Sequence, residues 1–240
     1  MDFSIERLRA NVQNMSPAAH GFTYLDLRRA PARTVADNAF LHGHRMIAPR
    51  ARIGLLLEPL FAATKVQAHH LRAAREAADR LRATGFEVIA IAPYPQAGAT
   101  FAHFRKIFTS RFAALPQAEG YAAWVAQQGA TVSAGELNAA QRHVRDLPKL
   151  LAQQWQVDAI ITPMLTADPP PRGYFMSLPH AENFNAQTRW SPWASLFNMA
   201  QLPAISVPCA IPAHPPVGVQ VGGITLSDAQ LLGLAHILHP

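Results

Sequence analysis

A single cysteine, Cys209, is all the sequence offers, so neither a disulfide framework nor a cysteine-based zinc site can be built within it. Lysine is almost as scarce: Lys65, Lys106 and Lys149 are the only three, and the rest of the 21 basic side chains are arginine. Those arginines, among them Arg28, Arg50, Arg72, Arg82, Arg111 and Arg145, are scattered. They do not cluster with the aromatic or glycine-rich partners of a nucleic-acid patch, so the net charge of +6 reads as solvated helix faces and no nucleic-acid partner is expected. No apolar run approaches the ~18–20 residues of a membrane span, and no membrane partner is expected. The opening Met-Asp-Phe-Ser-Ile-Glu-Arg lacks the basic-then-apolar order of a signal peptide. With one free cysteine, a cytoplasmic location is the expectation. Gly-x-Ser-x-Gly, Gly-x-x-x-x-Gly-Lys and Gly-x-Gly-x-x-Gly are all missing, which removes the commonest signatures for a hydrolase elbow, a phosphate loop and a dinucleotide fold.

What is present is globular. Half of the 240 residues are apolar and 15% are charged, enough to bury a substantial core. Helices are expected over 2–14 and 33–41, with an irregular stretch between them. Arg52–Leu57 has strand length and ends at Glu58-Pro59. Lys65–Thr84 has apolar positions at Val66, Leu71, Ala74, Ala78 and Leu81, the spacing of a helix, and Gly85 follows as a stop. Phe86–Ile91 reads as a second strand, parallel to the first because a long helix connects them. Further helices are expected over 100–115 and 121–128. Another opens at a Ser133/Glu136 capping box and runs to about Gln154, kinked or divided at Pro148. Val157–Thr162 is a third strand and 163–190 a long proline-rich loop. A helix from Ser191-Pro192 to Met199 follows. Ala204–Val207 and Val217–Val221 read as paired strands, and Ser227 caps a last helix over 228–238. Apolar strands alternating with helices make the fold class α/β: a mixed twisted sheet flanked by helices.

Candidates for chemistry are few. Ser206 and Cys209 lie in or beside an expected strand, where packing explains them better than nucleophilic catalysis does. His42/His44 and His69/His70 suggest metal ligands. Neighbouring rings on a helix, however, diverge by ~100°, and no acidic residue sits at ligand spacing, so no metal is assigned. Asp158 and Asp168 are too isolated to argue an acid–base pair. Trp190, Trp193 and Phe197 recur at three and four, consistent with core packing or, given the loop before them, with a pocket wall.

Several segments carry a family resemblance. Pro31-Ala32-Arg33-Thr34-Val35-Ala36-Asp37-Asn38-Ala39 looks like a Gly-Pro-x-x-Arg-Thr-Val-x-Asp-Ala-Ala motif, and Arg52-Ile53-Gly54 like the strand after it. Ala73–Val88 resembles the next helix–strand pair, and Asp158-Ala159-Ile160-Ile161-Thr162-Pro163 an Asp-x-Leu-Leu-x-Pro strand. Leu196–Pro208 and Pro216–Gly223 complete the set. In this order and spacing the chain, over about residues 31–238, resembles the C-terminal half of the amidase signature family, serine hydrolases of amide bonds with a Ser–Ser–Lys triad.

The resemblance implies a many-stranded mixed sheet and a carbon–nitrogen hydrolase. The family's catalytic lysine, glycine- and serine-rich loop and Gly-Ser-x-Arg segment all precede the part matching Pro31–Ala39. Residues 1–30 hold no lysine, paired serines or Gly-Ser. No catalytic residue is therefore carried over, and no cofactor is expected. The expected organisation is an N-terminal segment of unclear role, 1–30, and a partial amidase domain, 31–240. The expected function is that of a truncated amidase, inactive alone. The alternatives are a non-catalytic binding or scaffold protein and one half of a two-chain amidase, with a partner chain or a homo-oligomer completing it around a small-molecule amide. In the family this half closes one side of the substrate funnel. By that resemblance the lining residues are Met164, Thr166, Trp190, Trp193, Phe197 and Asn198.

Overall fold

The computed structural model describes residues 34–41, 43–115 and 118–239. The helix expected over 2–14, the 1–30 segment and Pro31–Arg33 lie outside them.

Helix α1, Val35–Leu41, starts where the Asp37 N–H donates to Thr34 Oγ1 at 3.0 Å. Strand β1 is Arg52–Leu55, α2 is Ala68–Ala83 and β2 is Glu87–Ala90. The buried side of α2 is His70, Ala73, Ala74, Ala77, Ala78 and Leu81, a three-and-one alternation that puts small side chains against the sheet. Gly85, at φ +93°, takes the left-handed position after the helix. Helices α3, Ala97–Ala113, and α4, Gly120–Ala130, pack against each other at close range, because a Cβ on Gly129 would run into the Thr109 carbonyl. Helix α5, Ala134–Trp155, opens with the full Ser133/Glu136 capping box. It stays one 22-residue helix through Pro148 rather than being divided there. Five buried side chains from Ala140 to Trp155 hold it against the core on both sides of the proline.

Strand β3, Ala159–Pro163, is buried along its whole length. The segment after it differs from the expected structureless loop: it contains α6, Tyr174–Ser177, and α7, His180–Trp190. Ser191 ends α7 instead of capping a new helix, and the helix that follows, α8, is only Ser195–Ala200. Proline at 192 suited a helix start, but the Trp190 carbonyl is taken by Thr166 and the chain bends through 191–194. Strands β4, Ala204–Ile211, and β5, His214–Gly223, form a hairpin longer than the sequence indicated, and α9, Asp228–Leu238, closes the chain with a Ser227/Gln230 capping box.

The sheet order is β2-β1-β3-β5-β4. β1 is parallel to β2 and to β3, as the helical crossovers require, while β5 runs antiparallel to β3 and β4 antiparallel to β5. This is the mixed α/β sheet flanked by helices expected from the sequence. Pro208 is accommodated within β4 because β4 is an edge strand. Side chains alternate between the faces: Ile53, Ala159 and Ile161 point to α2 and α9, whereas Leu56 and Ile160 point to α3, α5 and α8. Asp158 locks the centre. It accepts the Arg52 N–H at 2.8 Å on Oδ2 and the Thr225 hydroxyl on Oδ1, and its carbonyl takes the Ile224 and Thr225 amides. That carboxylate is structural.

Candidate functional site

Strands β1 and β3 run parallel, so their carboxyl ends open on the same edge of the sheet, where α/β folds commonly place ligands. The loops leaving those ends, 56–67 and 164–173, are tied together directly. The Gln67 N–H donates to the Thr166 carbonyl at 2.8 Å, and Gln67 Oε1 accepts the Asp168 N–H at 3.0 Å. Gln67 precedes α2 without capping it through its side chain, which serves the cross-link instead.

The six expected lining residues are distributed unevenly around this edge. Thr166 and Trp190 come together: the Thr166 N–H donates to the Trp190 carbonyl at 2.9 Å, its hydroxyl donates to the Arg189 carbonyl at 2.8 Å, and Trp190 Nε1 donates to the Ala167 carbonyl at 2.9 Å. Met164 follows β3 and its N–H donates to the Gly218 carbonyl at 3.1 Å. Trp193 and Phe197 lie deeper. Trp193 is fully buried with Nε1 donating to the Glu58 carbonyl at 2.8 Å, and Phe197 covers Gly222, where a Cβ would collide with the ring. Asn198 is half-buried beside Phe197 on α8. The three aromatics do not share one helix. Trp190 ends α7, Trp193 sits in the following turn, and Phe197 belongs to α8. Of the other candidates, Ser206 is exposed on β4, and burial pushes the Cys209 thiol up, away from a reactive thiolate.

The same edge holds a group that spacing along the chain did not reveal. Asp168, isolated in sequence, receives three histidines. His69 Nε2 lies 2.9 Å from Asp168 Oδ1, His70 Nε2 3.5 Å from the same oxygen, and His214 Nε2 3.4 Å from Oδ2. The His69 ring lies 4.5 Å from the His70 ring and 4.1 Å from the His214 ring, centroid to centroid. Adjacent helix residues therefore reach one acceptor despite the expected divergence, because they occupy the first turn of α2, where the 164–173 loop crosses the helix end. The hydrogen bond from His69 holds the Asp168 carboxyl below its usual range, and burial pushes His70 down. The available signals were a His-His pair at a helix start, Asp-Pro-Pro after a strand and His-Pro-Pro at a hairpin turn. None of the three has diagnostic spacing.

Among solved structures, a 6-aminohexanoate cyclic dimer hydrolase bound to substrate superposes with TM-score 0.66 at 22% identity, over 91% of this chain and 50% of that one. An amidase superposes with TM-score 0.66 at 19% identity, over 86% of this chain and 51% of that one. A bacterial aryl acylamidase of the amidase signature family gives TM-score 0.54 at 18% identity, over 91% and 51%. At these identities the likeness is one of fold: that of about half of an amidase signature enzyme. The amidase family model matches residues 119–232. The resemblance of residues 34–88 rests on the fold alone, since the family match begins beyond them. No curated protein sequence matches the chain. The chain spans about half the length of these solved structures. Among the described residues, no helix is long and apolar enough to cross a membrane.

Proposed function

We propose that this chain forms the C-terminal half of a Ser–Ser–Lys amide hydrolase and does not hydrolyse amides by itself. The observation that carries the reading is a pairing: an amidase-family match over 119–232 in a sequence with no Ser-Ser and no Gly-Ser dipeptide anywhere. Acyl transfer from an amide needs a nucleophile, a proton acceptor and donors for the developing oxyanion. In this reading a catalytic segment supplies all three, either within a longer polypeptide or on a second chain or copy. The sheet offers it two edges among the described residues, β2 and β4.

The substrate is a small-molecule amide, the class named in the neighbouring hydrolases. In this reading Met164, Thr166, Trp190 and Asn198 face it, while Trp193 and Phe197 support them from the core. Trp190 supplies apolar area for an acyl or amine group, and Asn198 supplies both a donor and an acceptor for the amide. A reducing, cytoplasmic setting belongs to the proposal and rests on the free, buried Cys209.

The test is labelling with a fluorophosphonate probe. The 240-residue chain should remain unlabelled and inert toward aryl amides, whereas an assembly that adds a Ser–Ser–Lys segment should label on that segment. Stoichiometric labelling of any serine in the isolated chain would replace this reading with an independent hydrolase.

A further inference from the structure

We infer that His69, His70 and Asp168 form a binding site for a divalent transition-metal ion of the zinc type. One donor atom from each of the first three lies within 4.8 Å of the others. A tetrahedral zinc site with bonds near 2.0 Å has ligand–ligand edges of about 3.3 Å. The distances from Asp168 Oδ1 to His69 Nε2 and His70 Nε2, 2.9 and 3.5 Å, bracket that edge.

Hydrogen bonding alone leaves the cluster unsatisfied at His70. His70 is 3% exposed, and neither of its ring nitrogens has a hydrogen-bond partner. Its 3.5 Å approach to Asp168 is an ion-pair distance without hydrogen-bond geometry, so a buried polar ring is left aimed at the carboxylate. A cation held between His69, His70 and Asp168 gives the His70 ring the partner it lacks. Imidazoles with one carboxylate suit zinc, cobalt, nickel or copper, whereas calcium and magnesium prefer oxygen donors throughout. The ligands come from the start of α2 and the loop after β3, so the ion would clip together segments separated by 99 positions in the chain.

The test uses the untagged 240-residue chain and Co²⁺, then Zn²⁺, as probes. One Co²⁺ per chain is expected, with the visible absorption of a low-coordinate nitrogen–oxygen site, bleached by stoichiometric Zn²⁺. Asp168→Asn, close in shape, and His69→Ala should each weaken uptake by about 100-fold, since even the loss of a supporting partner costs about 10–100-fold. His103→Ala, at a separate histidine pair with His143, should leave it unchanged. Zn²⁺ at a hundred times the parent's Kd should raise the Tm of the parent chain by about 5–10 °C and that of Asp168→Asn by only about 1–2 °C. Absence of stoichiometric uptake by the parent chain, or uptake that survives both Asp168→Asn and His69→Ala, would overturn the site.

Discussion

On the α2/α9 face of the sheet the core is aliphatic and small: Ala73, Ala74, Ala77, Ala78 and Ala235 let two helices lie close over valines from β4 and β5. On the opposite face α3, α5 and α8 stand over Phe61, Tyr94, Phe104, Trp155, Trp193 and Phe197. Both sides bury their apolar surface, but by different means. Close approach of backbones fills one side, and large rings fill the other. The ring-filled side also carries polar tips inward. Trp155 Nε1 donates to the Ala92 carbonyl at 2.9 Å, and burial raises the Tyr94 hydroxyl to about 12. The α2/α9 face is sensitive to added volume, and the aromatic face to lost volume.

The largest effect is expected on the aromatic side. Trp193→Ala removes a fully buried ring and strands the Glu58 carbonyl, so it should cost about 3–5 kcal/mol in urea unfolding. The reverse change probes the other face: Ala77→Leu forces added volume between α2 and the sheet and should cost about 1–3 kcal/mol. A cost below 0.5 kcal/mol there, as an order-of-magnitude threshold, would mean that the alanine face has room to spare and would erase the contrast.

The caps offer a matched pair across the two faces. Ser133 opens α5 on the aromatic side and Ser227 opens α9 on the aliphatic side, each with the reciprocal box complete. Ser133→Ala and Ser227→Ala should each cost about 1 kcal/mol at neutral pH, measured by thermal or denaturant melting. The smallest effect separates them by pH. Glu136 accepts from the Ser133 backbone N–H and hydroxyl and pairs with Lys106 at 3.1 Å, which lowers its carboxyl to about 2 from 4.5. A lowered carboxyl contributes stability above pH 4.5 that is lost as pH falls toward 2. Gln230, its counterpart, does not titrate. Glu136→Gln should therefore flatten the acid limb of the stability curve between pH 4.5 and 2. An acid limb identical to the parent's would show that the α5 cap does not contribute to it.

Much of the architecture was legible along the chain. The parallel crossover from β1 to β2 followed from apolar runs flanking a periodic helix, and the caps at Ser133 and Ser227 from three-residue signals. Those features are local: turn chemistry and periodicity act over one or two turns of chain. The stretch from 163 to 200 was harder to read. Local composition there indicated a loop and a single helix, whereas packing made α6, α7, a bend and α8, and sent Trp193 and Phe197 into the core. The meeting of His69 and His70 with Asp168 and His214 was invisible for the same reason. It depends on two parallel strands ending at one sheet edge and on a hairpin reaching that edge. By itself the sequence determined the α/β class, most strands and helices, and the resemblance to half of an amidase signature enzyme. Only the tertiary structure decided which side chains share that edge, because residues far apart in the chain are brought within bonding distance by the sheet order and not by any pattern that local physics can print.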